Sequence, residues 1–148
     1  MVEVPITEDY VRAAFSLIAE DRHSEFFENY IRPDIEWIIS GPENPVAGTF
    51  TSRAAFQKAT FEELHGVMEG PYRMHLVNVI LCRDSPSGEN SRVAIVELKA
   101  DCVTLQGIPY PQELCWIITF DHDGKMSKIK SYLDGALVRK IFAAAGKI

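Results

Sequence analysis

The sequence predicts an α+β fold: an open cone in which helices pack on the concave side of a strongly curved antiparallel sheet, with a cavity between the layers. Three observations carry this. The last third of the chain has two β-rich runs, 112–120 and 128–133, joined by Asp121, His122, Asp123 and Gly124. Asp-Gly between such runs marks a tight hairpin, because Gly adopts φ > 0 without steric cost. Upstream, side chains suited to a buried face recur at helical spacing: Val11, Ala14, Phe15 and Ile18, then Phe56, Thr60, Phe61, Leu64 and Met68. Between these, Glu97, Lys99 and Asp101 alternate with Val96, Leu98 and Ala100, the period of a strand with one buried face.

The elements follow in the order ααβαββββα. Thr7 caps a first helix over 7–20, and Glu8 and Asp9 suit its positive end. A second, over 23–30, carries Phe26, Phe27 and Tyr30 and is stopped by Pro33. A strand over 35–40 surrounds Trp37, and the segment from Gly41 to Gly48 reads as a stiff loop. Ser52 caps a third helix over 52–67, ended by Gly66 and the Gly70-Pro71 pair. Strands are expected at 72–81, 92–101, 112–120 and 128–133, with a polar hairpin loop at 84–90 and a turn at 106–109. Asp134 then caps a short C-terminal amphipathic helix over 136–145. Trp37, Phe56, Leu64 and Ile118 should be buried.

The bulk numbers suit one domain over 1–148. Apolar residues make up 47% and charged residues 24%, the balance of a globular chain. The net charge of −6, with Lys and Arg scattered singly, argues against a nucleic-acid surface, which needs a concentrated basic patch. No apolar run approaches the roughly 20 residues of a membrane span, and the N-terminus lacks the basic and apolar segments of a signal peptide. Three cysteines without CxxC spacing argue against a disulfide framework or zinc site. The expectation is a reduced, cytoplasmic protein without membrane or nucleic-acid partners. No HExxH, GxSxG, phosphate-binding or dinucleotide motif occurs, so neither metal nor cofactor is expected.

Acid–base chemistry has few candidates. At 100° per residue, His65 falls at one border of the third helix's buried stripe and Glu63 at the other. Glu62 lies three residues from His65, within side-chain reach. A carboxylate beside an imidazole fixes its tautomer and raises its basicity, so His65 with Glu62 is the candidate catalytic pair. The alternative is a solvated helix end whose histidine suits the negative end of the dipole. Glu97, Lys99 and Asp101 face either solvent, a dimer partner or a polar cavity. His75 reads as a structural strand histidine, and His23 and His122 as exposed. Trp37, Phe50, Phe56 and Trp116 are core residues by default, and an apolar ligand cavity would recruit the same side chains.

Several segments resemble a known family. Trp37-Ile-Ile-Ser-Gly-Pro-Glu-Asn-Pro-Val-Ala-Gly48 followed by Ser52-Arg-Ala-Ala-Phe56 resembles the W-x-x-x-G-x-x-H-P-L-A-G and S-K-x-x-F segments of fungal SnoaL-like proteins, members of the nuclear transport factor 2-like superfamily. Val96-Glu97-Leu98, Gly107 to Tyr110, Cys115-Trp116, Phe120, Gly124-Lys125 and Tyr132 to Asp134 extend the match over nearly the whole chain. The resemblance implies a cofactor-independent isomerase or cyclase acting on a hydrophobic polycyclic secondary metabolite, a polyketide or meroterpenoid. Dehydratases, hydrolases and non-catalytic binding or dimerisation modules share the fold. It also implies a homodimer through the free sheet face bearing Glu97, Lys99, Cys115, Thr119 and Lys130. The chain departs from the pattern at Asn44, where the family has a loop histidine, at Gln112 in place of Asn, and at Thr119 in place of Arg. Ser131 stands where limonene epoxide hydrolases carry a catalytic Asp. The expected substrate-binding residues are therefore Trp37, Asn44, Phe50, Phe56, Glu63, Glu97, Gln112, Trp116 and Ser131, with Asn44, Gln112 or Ser131 orienting substrate oxygens.

Overall fold

The computed structural model describes residues 2–84 and 90–148. The expected loop at 84–90 thus falls largely outside the described residues. Two helices open the chain, α1 (Glu8–Ala19) and α2 (His23–Tyr30). The backbone amide of Tyr10 donates to Thr7 Oγ1 at 3.1 Å, the cap the sequence anticipates. Val11, Ala14, Phe15 and Ile18 form the buried stripe of α1. At its end Arg22 N–H donates to Leu17 C=O and Asp21 N–H to Ile18 C=O, a Schellman closure. Asp21 holds φ 61°, the one positive φ outside glycine among the described residues.

The sheet has six strands: β1 (Ile31–Ile39), β2 (Gly48–Phe50), β3 (His75–Asp84), β4 (Asn90–Val103), β5 (Pro109–Phe120) and β6 (Met126–Leu133). Their order is β2-β1-β6-β5-β4-β3, and the sheet is curved and unclosed. It is antiparallel except where β1 lies parallel to β6. α2 has the bounds the sequence assigns to it and ends three residues before Pro33. The chain passes from α2 directly into β1, and Pro33 sits in the irregularity between Ile31 and Glu36, where its missing N–H interrupts no ladder bond. Gly48, expected as the end of the loop, instead begins the edge strand β2, in which 48–50 pairs with 37–39.

The third helical segment is not one regular helix. Arg53–Phe56 (α3) is capped by Ser52 Oγ, Gln57–Phe61 forms a π-helical turn, and Glu62–Gly66 completes the segment as α4. Thr60 Oγ1 donates to Phe56 C=O at 2.7 Å within this widened stretch. The chain ends in α5 (Gly135–Ala144), whose Leu137 N–H donates to the Asp134 carboxylate at 3.2 Å.

Inward side chains of β1, β4, β5 and β6 meet the buried faces of the helices. Trp37, Phe56, Leu64 and Ile118 are all buried, as expected. Phe56 stacks on Trp37 at 3.6 Å between ring centroids, and Trp116 meets Trp37 edge-on at 5.0 Å. The hairpin at 121–124 forms as read: Gly124 has φ 80° and Tyr10 Oη donates to its carbonyl at 2.6 Å. No helix among the described residues is long and apolar enough to cross a membrane.

Candidate functional site

The inward face of the sheet and the α3–α4 segment enclose a crevice of about 40 Å³. One water needs about 10–15 Å³ of such space, so the crevice takes only a few waters and is a narrow slot, not a chamber. Trp37, Phe56, Leu64, Tyr72, Trp116 and Ser131 are among its walls. The fold positions them simply. Trp116 and Ser131 are cross-strand partners of β5 and β6 and so share one face of the sheet. Thr60 and Phe61, from the π-turn, complete the wall on the helix side.

Two residues in the walls of this apolar slot carry hydrogen-bond donors that lie covered behind its surface. Trp116 is 4% exposed and its indole N–H has no partner. Ser131 Oγ accepts from Trp37 Nε1 at 2.9 Å, which leaves the serine's own proton free to donate. An unpaired buried donor costs about 1–3 kcal/mol, a penalty that a ligand oxygen would remove. Tyr72 adds a further hydroxyl. Burial pushes its pKa well up, the adjoining Tyr110 reinforces this, and it stays protonated. Tyr110 in turn accepts from Gln112 Nε2 at 3.0 Å.

The residues expected from sequence divide into three groups. Trp37, Phe56, Trp116 and Ser131 line the crevice together. Gln112 is buried but structural: its amide clamps the Asp134 backbone, accepting from Asp134 N–H at 2.9 Å and donating to Asp134 C=O at 3.1 Å. Phe50 packs edge-on against Phe56 at 6.0 Å, behind the crevice wall, and Asn44 is buried in the neighbouring loop. The remaining four lie elsewhere. Glu62 is exposed, and His65 is half-buried beside Phe61, neither bordering the crevice. Glu63 pairs with Lys147 at the surface. Glu97 projects from the outer face of the sheet, where it accepts from Asn78 Nδ2 at 3.1 Å.

The sequence missed His23. Expected to be exposed, its side chain is only 11% exposed, with Phe61 at 4.9 Å and His65 at 6.1 Å between ring centroids. Its Nε2 lies 3.3 Å from Asp21 Oδ1 but out of hydrogen-bond alignment, and neither ring nitrogen has a hydrogen-bond partner. Burial pushes its pKa down, Asp21 opposes this, and His65 adds to it. The only sequence signal was the αL-tolerant Asp21 two residues earlier. No group of three metal-ligating side chains occurs among the described residues.

No family model matches the sequence, and no curated protein matches it. Solved structures do match the fold. A nuclear transport factor 2-like protein from Burkholderia thailandensis is 22% identical with a TM-score of 0.67, over 93% of this chain and 98% of that one. A candidate isomerase from Rhodopseudomonas palustris is 20% identical with a TM-score of 0.65, over 94% and 99%. PrhC from Penicillium brasilianum is 12% identical with a TM-score of 0.72, over 94% and 89%. The chain therefore has the SnoaL-like, nuclear transport factor 2-like fold.

Proposed function

We propose that the protein is an isomerase-type enzyme that works by cofactor-free proton transfer on an apolar, oxygen-bearing small molecule. The observation that carries this is that two residues lining one apolar slot, Trp116 and Ser131, hold donors in its wall, an unpaired indole N–H and a hydroxyl, which the outward movement of the opposite wall would uncover. Two donors in a water-poor site polarise a carbonyl and stabilise the enolate that forms when a neighbouring proton leaves. The substrate class is a polycyclic polyketide or meroterpenoid. Such a molecule exceeds the narrow slot, so binding requires the wall carrying Phe61 and Leu64 to move outward. The π-turn, where the helical hydrogen-bond ladder is irregular, is the place for that movement. His65, carried by the same wall with Glu62 three residues away, takes and returns the proton once the wall has moved.

Removing a positioned acid or base typically lowers rate by ~10²–10⁴. His65→Ala and Glu62→Gln should each slow turnover at least ~10²-fold while leaving the melting temperature nearly unchanged, because both side chains are partly or fully exposed. The substrate is sought by comparing metabolite extracts of cells with and without the gene. An isomerase changes the ratio of two compounds of identical mass, and an unchanged set of isomer ratios contradicts the assignment.

A second reading rests on a specific observation: among the described residues, Tyr72 is the one ionisable side chain bordering the slot. A non-catalytic binding module would bind the same ligand and turn over nothing. In either case we propose a homodimer through the outer sheet face, where Ile80, Ile95, Ile117 and Ile38 form a cross-sheet row interrupted by Lys130.

A further inference from the structure

We infer that His23 and the wall segment bearing Phe61 and His65 form a proton-operated latch: neutral His23 holds the wall against the core, and a proton taken up by His23 releases it. The inference rests on the reading that this wall is the one that moves to admit a ligand. His23 opens α2, and the turn before it, with Asp21 at φ 61°, folds the imidazole inwards. There the ring meets the wall segment twice. Phe61, from the π-turn, lies edge-on at 4.9 Å, and His65, from α4, lies at 6.1 Å with the ring planes at 87°. Phe61 is itself a wall residue of the crevice. One contact therefore ties the start of α2 to the segment that must move.

The contact is sensitive to protons because of where the charge would stand. Both ring nitrogens of His23 are covered and lack a hydrogen-bond partner. An imidazolium has two N–H donors to satisfy, and in the closed arrangement neither has an aligned acceptor. Burial opposes the charge most. Asp21, from the preceding turn, favours it, and its Oδ1 lies 3.3 Å from Nε2; His65, across the contact, opposes it. The Tyr72 backbone favours it and Arg73, ahead of β3, opposes it. Arg22 and Glu25, at the same end of α2, pair with each other at the surface. Moving the wall outward uncovers the ring, so that water can take both donors. The proton therefore binds the open arrangement more tightly and shifts the population towards it. In the closed arrangement the His23 pKa is depressed below its ordinary value of about 6.5, so closure is favoured above that value and loses its advantage as pH falls through the lower one.

The test is hydrogen exchange of the full chain between about pH 7 and about pH 5, read by mass spectrometry and corrected for the intrinsic pH dependence of amide exchange. Opening of the segment 57–66 should rise severalfold as pH falls, by at most about tenfold per pH unit for a single proton, while α1 keeps its protection. His23→Leu, which is apolar and does not titrate, should remove that rise. In the unaltered protein, proton uptake by the His23 ring, followed by NMR, should share its midpoint with the opening, a readout independent of how the variant folds. Opening that is constant over this range, that keeps the same pH dependence in His23→Leu, or that follows another group's titration overturns the latch. Calorimetric titration with 1-tetralone, a bicyclic aromatic ketone, separates the latch from the ligand. Tighter binding at the lower pH supports both. Proton-dependent opening without any binding supports the latch and contradicts the crevice as a ligand site.

Discussion

Ser131 is the residue on which the crevice turns. It gives Trp37, itself fully buried, the one acceptor its indole N–H has in the structure. Ser131→Ala should therefore lower stability by about 1–3 kcal/mol, as chemical denaturation would show, because it strands a buried donor. His23 sets a pH dependence. Its folded pKa is depressed below the ordinary value of about 6.5, so the neutral imidazole is the form the fold favours. Stability is then full above that ordinary value and is lost as pH falls through the lower folded value. Thermal melts between about pH 7 and pH 5 should decline, and His23→Leu should flatten that part of the decline. An equal slope in the variant assigns it to other groups. None of this was legible from sequence. His23 starts a helix, where exposure is the ordinary expectation, and only the turn at Asp21 folds it back against Phe61 and His65.

Among the elements, local chemistry was read correctly wherever one residue decides it. Thr7, Ser52 and Asp134 cap the helices assigned to them, and Gly124 turns the hairpin. A Cβ at Gly124 would lie 2.4 Å from Tyr10 Oη in addition to requiring φ 80°. Gly124→Ala should cost about 1–3 kcal/mol in equilibrium unfolding, and a neutral result would mean that the hairpin adapts freely. The third helix keeps the buried stripe the sequence projects: Phe56, Thr60, Leu64 and Met68 are buried, and His65 at the border is half-buried. What the sequence did not show is the π-turn at 57–61 that interrupts it, and that His65 turns towards His23 and away from the crevice. The parallel pairing of β1 with β6 was also hidden, because it joins segments about a hundred residues apart and leaves no local signature.

At the scale of the whole molecule, two surfaces of the sheet have different roles. The inner face supplies the core and the crevice; the outer face leaves Ile80 and Ile117 at 47% and 36% exposure beside Tyr132. If that face joins two copies, light scattering should give twice the 16.7 kDa chain mass, and Ile117→Glu should halve it without unfolding the protein. A monomer at high micromolar concentration removes the proposed dimer. The central claim is that the crevice opens to take an apolar, oxygen-bearing ligand against Trp116 and Ser131. The chain has two tryptophans, Trp37 and Trp116, and both line the crevice, so tryptophan emission, excited selectively over that of the tyrosines, reports on that site. Titration with bicyclic aromatic ketones should change the emission saturably, and Trp116→Phe should weaken the binding. Emission that stays constant up to millimolar ketone, in a protein that remains folded, would mean that the crevice is closed core and that the account of its function is wrong.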